Sequence, residues 1–393
     1  MHHTTHLIKG LITTMLIAIS MTGYAQVNTF YVAPVQTDIQ YSAVQDSHLV
    51  VRNTSSNIDK LFLFLGGTNS TPDVYRTISN FAGNLGFDVI NLSYPNAVAA
   101  AILANNTDSL IFNTYRQEVC YGTPISPRVN VDSLNSIYTR TVKLLTYLNV
   151  TYPNQNWSQY LTGNQSLNWS KIVVSGHSQG SGHACYFGKS NMVERVIMFS
   201  GPNDYSNHFS NSGAWLRAPG LTNLDRHFSY LSLLDEIVDF DKQLANMHGL
   251  QLFPRYDTTH IDNVPAPYNN SHCLYTTQRP GLSLLYHNAP VRFSTLNNAV
   301  WTYMLTSPIV SNAEVIEEKN SIEVYPNPTK SLAKIVINKR LERKAFRILS
   351  PDGQVLKTGN ISTTDSFSID FSTFSNGLYF VEIDGQIKKV IKY

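Results

Sequence analysis

The chain has 393 residues, of which 29 are basic and 27 acidic, giving a formal net charge of +2 with only 14% charged residues. That length accommodates one large domain and a small one, each with its own core. The balanced charge, without a basic stripe to neutralise phosphates, gives no footing for nucleic acid.

From the amino end, residues 1–25 carry Lys9, the apolar stretch Leu11-Ile12-Thr13-Thr14-Met15-Leu16-Ile17-Ala18-Ile19 and the close Gly23-Tyr24-Ala25. This is the pattern of a secretory signal cleaved after Ala25. The stretch falls short of the ~20 residues that span a bilayer, and no stable transmembrane segment is expected. The surface is rich in Asn, Ser, Thr and Tyr, which suits an extracellular protein. Three cysteines, Cys120, Cys185 and Cys273, allow at most one intramolecular bridge. A Cys120 to Cys273 bridge and free core thiols both fit.

Residues 26–310 read as an α/β domain. Asn28 to Val51 alternates like leading antiparallel strands, and Lys60-Leu61-Phe62-Leu63-Phe64-Leu65 is a continuous apolar run, as expected of a strand buried on both faces. A helical stretch from Asp73 to Leu85 and a strand from Phe87 to Leu92 follow. Ser136 to Leu148 places Ile137, Val142, Leu144, Leu145 and Leu148 at helical spacing. The order then repeats: strand Ile172 to Val174, helix from Ser181, strand Arg195 to Phe199. Strands are also expected over His227 to Leu234 and Leu250 to Tyr256, with a closing helix over Ala299 to Leu305. Such alternation predicts a mostly parallel central sheet flanked by helices. Residues 311–320 form a polar, acidic linker. From residue 321 to 393 the period changes to two, with turns at Asp352-Gly353 and Asn376-Gly377, which predicts a small all-β sandwich.

Chemistry concentrates at Gly176-His177-Ser178-Gln179-Gly180, which follows the β-branched run Ile172-Val173-Val174 and opens into small residues. This G-x-S-x-G reads as strand, sharp elbow and helix. Ser178 stands at the apex as a nucleophile, with the glycines keeping side chains out of a crowded turn. A serine nucleophile needs a base, an acid that orients the base, and two donors for the developing oxyanion. In chain order, Asp235 after the next-but-one strand is the candidate acid, with Asp204 as the alternative. His272 is the candidate base, with His287 as the alternative and His260 a third position. His177 and His183 flank the serine in sequence, but neither reads as the base. The oxyanion donors are expected to be the Gln179 N–H, at the helix start, and an N–H of the Leu65-Gly66-Gly67-Thr68 loop, Thr68 first and Gly67 next. Such a site needs no metal or organic cofactor. Two long connections border the elbow. Asn91 to Ser126 contains Tyr94, and Asn203 to Arg226 contains Tyr205, Phe209 and Trp215, which could form a short cap over the serine or simply pack as loop.

The elbow and its context resemble the α/β-hydrolase fold over about Asn28 to Ser307. The Gly-His-Ser-Gln-Gly variant is similar to secreted lipase-like and esterase-like members, although Leu65 stands where many members carry histidine. The resemblance implies a serine hydrolase acting on an ester substrate through an acyl-enzyme. The same triad would also serve a peptidase or acyltransferase, and a scaffold that had lost its chemistry would serve as a surface binding protein. The carboxyl-terminal region resembles the type IX (Por) secretion C-terminal sorting domain through Val324-Tyr325-Pro326-Asn327-Pro328, Leu349-Ser350-Pro351-Asp352-Gly353 and Asn376-Gly377-Leu378-Tyr379. That resemblance implies the type IX secretion machinery as a partner. It also implies a secreted or outer cell-surface location in a Gram-negative bacterium, reached through the periplasm.

Overall fold

Alternate side chains of the apolar run after Lys60 enter two different cores, and this sets the layering of the larger unit. Leu61, Leu63 and Leu65 pack into one cluster and Phe62 and Phe64 into another, all fully buried. A strand that is apolar on both faces is stable only between two covering layers. Each such side chain contributes roughly 1.5–3 kcal/mol by leaving water.

The computed structural model describes residues 27–41, 46–163, 165–252, 258–279, 281, 285–292, 294–309, 322–337, 345–351, 354–361, 366–383 and 386–393. The expected signal segment and the expected linker lie outside these residues. The chain divides into two units between Ile309 and Val310. In chain order the first contains β1 (Val27–Val32), α1 (Pro34–Thr37), β2 (His48–Asn53), β3 (Leu61–Leu65), α2 (Arg76–Asn84), β4 (Asp88–Leu92), α3 (Ile111–Tyr121), α4 (Ile137–Thr151), β5 (Ile172–His177) and α5 (Gln179–Ser190). It continues with β6 (Arg195–Phe199), β7 (Tyr205–Ser206), β8 (Asn211–Ser212), α6 (Ala214–Arg217), β9 (His227–Ser232), α7 (Phe240–Gly249), β10 (Thr258–His260), β11 (Cys273–Thr276), α8 (Ala289–Arg292) and α9 (Ser294–Thr306).

The main sheet runs β1-β2-β4-β3-β5-β6-β9-β11-β10. From β4 to β10 every pairing is parallel, and β1 and β2 add an antiparallel edge. One face is covered by α3, α4, α5 and α7 through Phe112, Tyr115, Leu144, Leu148, Phe187 and Met247. The other is covered by α2 and α9 through Ile78, Ala82, Trp301 and Met304. Helix ends follow local chemistry. Ser136 caps α4 by accepting from the Thr139 N–H at 3.2 Å, and Asp239 caps α7 by accepting from Lys242 N–H at 3.1 Å. Gly122 ends α3 with φ at +73°, where a Cβ would come within 2.3 Å of the Ser133 backbone.

The run Leu250 to Tyr256, helices α3 and α7 and strands β10 and β11 differ from the sequence expectation. The run Leu250 to Tyr256 does not start as a strand: Leu250 is the helical C-cap of α7, and Gln251 has φ at +65°. Residues 253–257 lie outside the described set. The apolar Leu250 and Leu252 are buried against the helix-side core rather than paired in the sheet. Helix α3 lies inside what reads as a long connection, because its charged residues Arg116 and Glu118 face inward and mask the helical period. The three cysteines are free and buried, Cys120 in α3, Cys185 in α5 and Cys273 in β11.

The second unit has two antiparallel sheets. One holds β12 (Ile322–Tyr325), β13 (Leu332–Ile337) and β16 (Ser366–Asp370). The other holds β14 (Ala345–Leu349), β15 (Val355–Asn360), β17 (Gly377–Ile383) and β18 (Gln386–Lys392), in the order β15-β14-β17-β18. Period-two residues make its core: Ala333, Ile335 and Ile337 of β13 meet Phe346, Ile348, Val381, Ile383 and Val390.

Candidate active site

Parallel strands β3, β5, β6, β9 and β11 end on one side of the sheet, and the loops leaving them supply the site, as is general for open α/β sheets. Ser178 follows β5 and precedes α5 with φ +54° and ψ −120°, a backbone state that a side-chain-bearing residue seldom adopts. Its N–H donates to the Phe199 carbonyl at 2.9 Å. The glycines on either side are required by close approach. A Cβ on Gly176 would lie 2.3 Å from the Gly180 backbone, and one on Gly180 would lie 2.0 Å from the Leu65 carbonyl oxygen. The second contact presses the elbow against the end of β3.

Asp235 and His287 meet. His287 Nδ1 donates to Asp235 Oδ2 at 2.7 Å, with the histidine side chain 7% exposed and the aspartate side chain wholly buried. Because a carboxylate only accepts, the proton sits on Nδ1, and Nε2 keeps the lone pair that a base needs. Asp235 is held on every side. Its Oδ1 accepts from the Ile237 and Val238 N–H groups, both at 2.9 Å, and Oδ2 also accepts from Gln243 Nε2 at 3.0 Å. Glu236 reaches across to the base loop, accepting from the N–H groups of Tyr286 at 3.1 Å and His287 at 3.3 Å. The His287 carbonyl accepts from Ser200 Oγ at 2.7 Å and from His177 Nε2 at 2.9 Å, which ties this loop to the residue preceding Ser178.

The other sequence candidates lie elsewhere in the network. His272 Nδ1 donates to the His227 carbonyl at 2.9 Å, and its ring stacks on Phe228 with centroids 4.1 Å apart. The structure does not bring it to Asp235. His260 pairs with Asp262 at 3.0 Å and stacks on Tyr275. Asp204 is fully buried and bound to Arg116, whose Nε donates to Oδ2 at 3.0 Å, and to Trp215, whose Nε1 donates to Oδ2 at 2.8 Å. Arg116 Nη1 in turn donates to the Gln179 carbonyl at 2.8 Å. Asp204 therefore braces the first turn of α5 through Arg116 and makes no bond to a histidine.

The loop after β3 sits on the nucleophile: a Cβ on Gly67 would be 3.2 Å from Ser178 Cβ. The Gly67 N–H is already donated to Tyr75 Oη at 2.9 Å. Thr68 Oγ1 donates to the Gln179 side-chain carbonyl at 2.7 Å, which joins the two loops from which the oxyanion donors are expected. Tyr94, buried, donates to the Gly66 carbonyl at 2.6 Å, and Asn96 Nδ2 donates to the Gly67 carbonyl at 2.9 Å. Both side chains fix the loop from below. Trp215 is likewise engaged with Asp204, while Phe209 is exposed at the tip of the β7–β8 turn.

Sequence reading missed three contributors. Asn203, after β6, donates from Nδ2 to Ser178 Oγ at 3.4 Å; its Oδ1 is buried without a partner. Gln243 and Glu236 support the acid and base loops. The only signal for Gln243 was its position on a helical face, and helix α7 was not anticipated. Four histidines near or behind the sheet, His48, His177, His183 and His227, are held neutral well below the usual histidine range, first by burial. Among the described residues no group of three or more His, Cys, Asp or Glu side chains is placed to hold a metal ion. No helix among them is long and apolar enough to cross a membrane.

Comparison with known proteins bears mainly on the second unit. Residues 323–393 match the family described as the secretion system C-terminal sorting domain, which supports sorting by type IX secretion machinery to the cell surface or beyond. No curated protein matches the chain. Among solved structures, the chain is similar to the one titled "Crystal Structure of TT1662 from Thermus thermophilus", at 11% identity and a TM-score of 0.35, over 72% of this chain and 99% of that one.

Proposed function

We propose that the larger unit is an exported serine hydrolase of α/β-hydrolase type that cleaves carboxylic esters, with Ser178 as nucleophile, His287 as base and Asp235 as orienting acid. The base is assigned to His287 rather than His272 because it is the histidine bonded to Asp235. The observation that carries the reading is the buried 2.7 Å bond from His287 Nδ1 to Asp235 Oδ2, made by loops at the same end of the parallel strands as the strained Ser178 elbow.

In this mechanism His287 Nε2 takes the Ser178 proton as Oγ attacks the ester carbonyl. Asp235 holds the tautomer and stabilises the imidazolium as it forms. The oxyanion would be met by the Gln179 N–H at the start of α5 and by the Thr68 N–H. Gly67 is a weaker choice, since its N–H is already donated to Tyr75. His287 then returns the proton to the leaving alcohol, and water releases the acid from the acyl-enzyme by the same steps. The carboxyl-terminal sorting domain would direct export across the outer membrane of a Gram-negative cell.

The test is fluorophosphonate labelling of the folded protein, with the modified peptide identified by mass spectrometry. A mass shift on Ser178, absent in Ser178→Ala, is expected. Folded wild-type protein that stays unlabelled overturns the assignment in favour of a binding scaffold. Esters, amides and alcohol acceptors tested on the unlabelled enzyme then separate an esterase from a peptidase or acyltransferase.

A further inference from the structure

His177 stands next to the nucleophile in sequence, yet both of its ring nitrogens are engaged by groups other than Ser178. Nδ1 lies 3.0 Å from Tyr75 Oη and Nε2 lies 2.9 Å from the His287 carbonyl oxygen. Its ring centroid is 4.7 Å from that of His287. Tyr75 is 2% and His177 3% exposed, so water does not compete for these groups.

The chemistry of the partners fixes the direction of every bond. The His287 carbonyl can only accept, so His177 Nε2 carries the proton. Burial keeps this imidazole neutral, so Nδ1 has a lone pair and accepts from the Tyr75 hydroxyl. Tyr75 Oη, having given its proton, accepts from the Gly67 N–H at 2.9 Å. The result is one continuous chain: Gly67 N–H to Tyr75 Oη–H to His177 Nδ1, then His177 Nε2–H to the His287 carbonyl. It begins in the loop where a Cβ on Gly67 would come 3.2 Å from Ser178 Cβ and ends on the backbone of the residue bonded to Asp235.

We propose that Tyr75 and His177 are positioning residues that lock the oxyanion loop and the base loop into register with each other across the back of the nucleophile elbow. The assignment rests on the hydrolase reading above. It has two consequences. The tether engages the Gly67 amide, so the loop presents the Thr68 N–H instead. It also gives the His287 carbonyl a second donor beside Ser200 Oγ, so the base is fixed through its backbone as well as through Nδ1. Neither residue touches substrate. Each acts through a group that does, and a small rotation at either end would misplace the base or the oxyanion donor.

The experiment measures the fluorophosphonate inactivation constants kinact and KI, and kcat and KM on a p-nitrophenyl ester. The proteins are the full chain and the variants Tyr75→Phe, His177→Phe, His177→Gln and the Tyr75→Phe/His177→Phe double, each kept well below its melting temperature. In His177→Phe, kinact and kcat are expected to fall by about 10–100-fold with KI and KM within about twofold, because geometry rather than binding is lost. His177→Gln keeps an N–H donor near the Nε2 position and should recover most of that loss. Tyr75→Phe should cost about tenfold, and the double variant should be no slower than His177→Phe, since both cut one chain. Tyr75→Phe is nearly isosteric and decides the matter with His177→Gln if His177→Phe does not fold. Wild-type rates in Tyr75→Phe, a Gln variant as slow as the Phe variant, or additive losses in the double would each overturn the proposal while leaving the hydrolase reading intact. A folded wild-type protein that does not label overturns both.

Discussion

Replacing Asp235 by Asn probes the proposed triad most directly, because the bonds around this side chain dictate how the amide must sit. The Ile237 and Val238 N–H groups, both at 2.9 Å, require an acceptor and select the amide oxygen for the Oδ1 position. The amide NH2 then takes the Oδ2 position, facing His287 Nδ1 and Gln243 Nε2, which are both donors in the native protein. His287 can answer only by moving its proton from Nδ1 to Nε2, and an Nε2–H imidazole cannot accept the serine proton. Triads disabled in this way lose on the order of 10⁴ in kcat, or about 5 kcal/mol at 1.36 kcal/mol per decade. The stability cost is smaller, about 1–3 kcal/mol, for the donor left without an acceptor. Asp204→Asn provides the contrast. It unpairs the buried Arg116, for which about 3–5 kcal/mol of stability is expected, but it touches no histidine. The assay is ester turnover per folded molecule together with urea unfolding for both variants. A crossed result is expected, with Asp235→Asn nearly dead but well folded and Asp204→Asn unstable but active within about tenfold where folded. Asp235→Asn retaining more than a tenth of wild-type turnover would refute the assignment of the acid.

Further outcomes follow from the same geometry. His287→Gln should abolish Ser178 labelling, whereas His272→Gln should leave it within about threefold, since that ring donates to the His227 carbonyl and stacks on Phe228 rather than pairing with Asp235; the reverse ranking would restore His272 as the base. Gly180→Ala would drive a Cβ to 2.0 Å from the Leu65 carbonyl oxygen, so loss of soluble folded protein or of labelling is expected, and a fully active variant would disprove the close approach. Burial first, and the Arg140 charge second, lowers His48 to about 3; burial lowers His227 to about 4. Unfolded chains bind these protons below the ordinary value near 6.5 while the folded protein does not. The stability they contribute is therefore complete above pH 6.5 and is lost as pH falls from there toward 4, at about 1.4 kcal/mol per pH unit for each. Urea midpoints at pH 7, 6 and 5 measure that slope, and His48→Asn should reduce it; an unchanged slope would contradict the buried neutral assignment.

How far the sequence could be read depended on how local each signal is. The elbow was legible because Gly176, Ser178 and Gly180 meet a backbone constraint within five residues, and the buried strand Leu61–Leu65 because five apolar residues in a row admit few readings. The partner of Asp235 was not legible. His272 immediately precedes β11 and His287 follows it, a difference hidden in the sequence because β11 was not anticipated, and the pairing itself is a contact made across 52 positions, from Asp235 to His287, that no spacing encodes. Helix α7 was missed for a related reason. Its Gln243 and Asn246 are buried to serve Asp235 and the Pro202 carbonyl, so polar residues occupy positions that a helical pattern expects to be apolar. The role of His177 was invisible because its neighbours, Tyr75 and His287, lie 102 and 110 positions away.

The three sequestered cysteines bear on how such a protein survives its route out of the cell. In the folded unit burial pushes the Cys185 and Cys273 thiols up to about 12 and Cys120 higher still, so almost none of the reactive thiolate exists at neutral pH. An oxidising envelope can trap these sulfurs in wrong disulfides only while the chain is open. Folding and oxidation thus compete in time. A chain that closes its sheet before the oxidant reaches Cys273 no longer depends on the redox state of its surroundings, and one slowed by a core mutation is exposed to a covalent error that its finished structure gives no hint of.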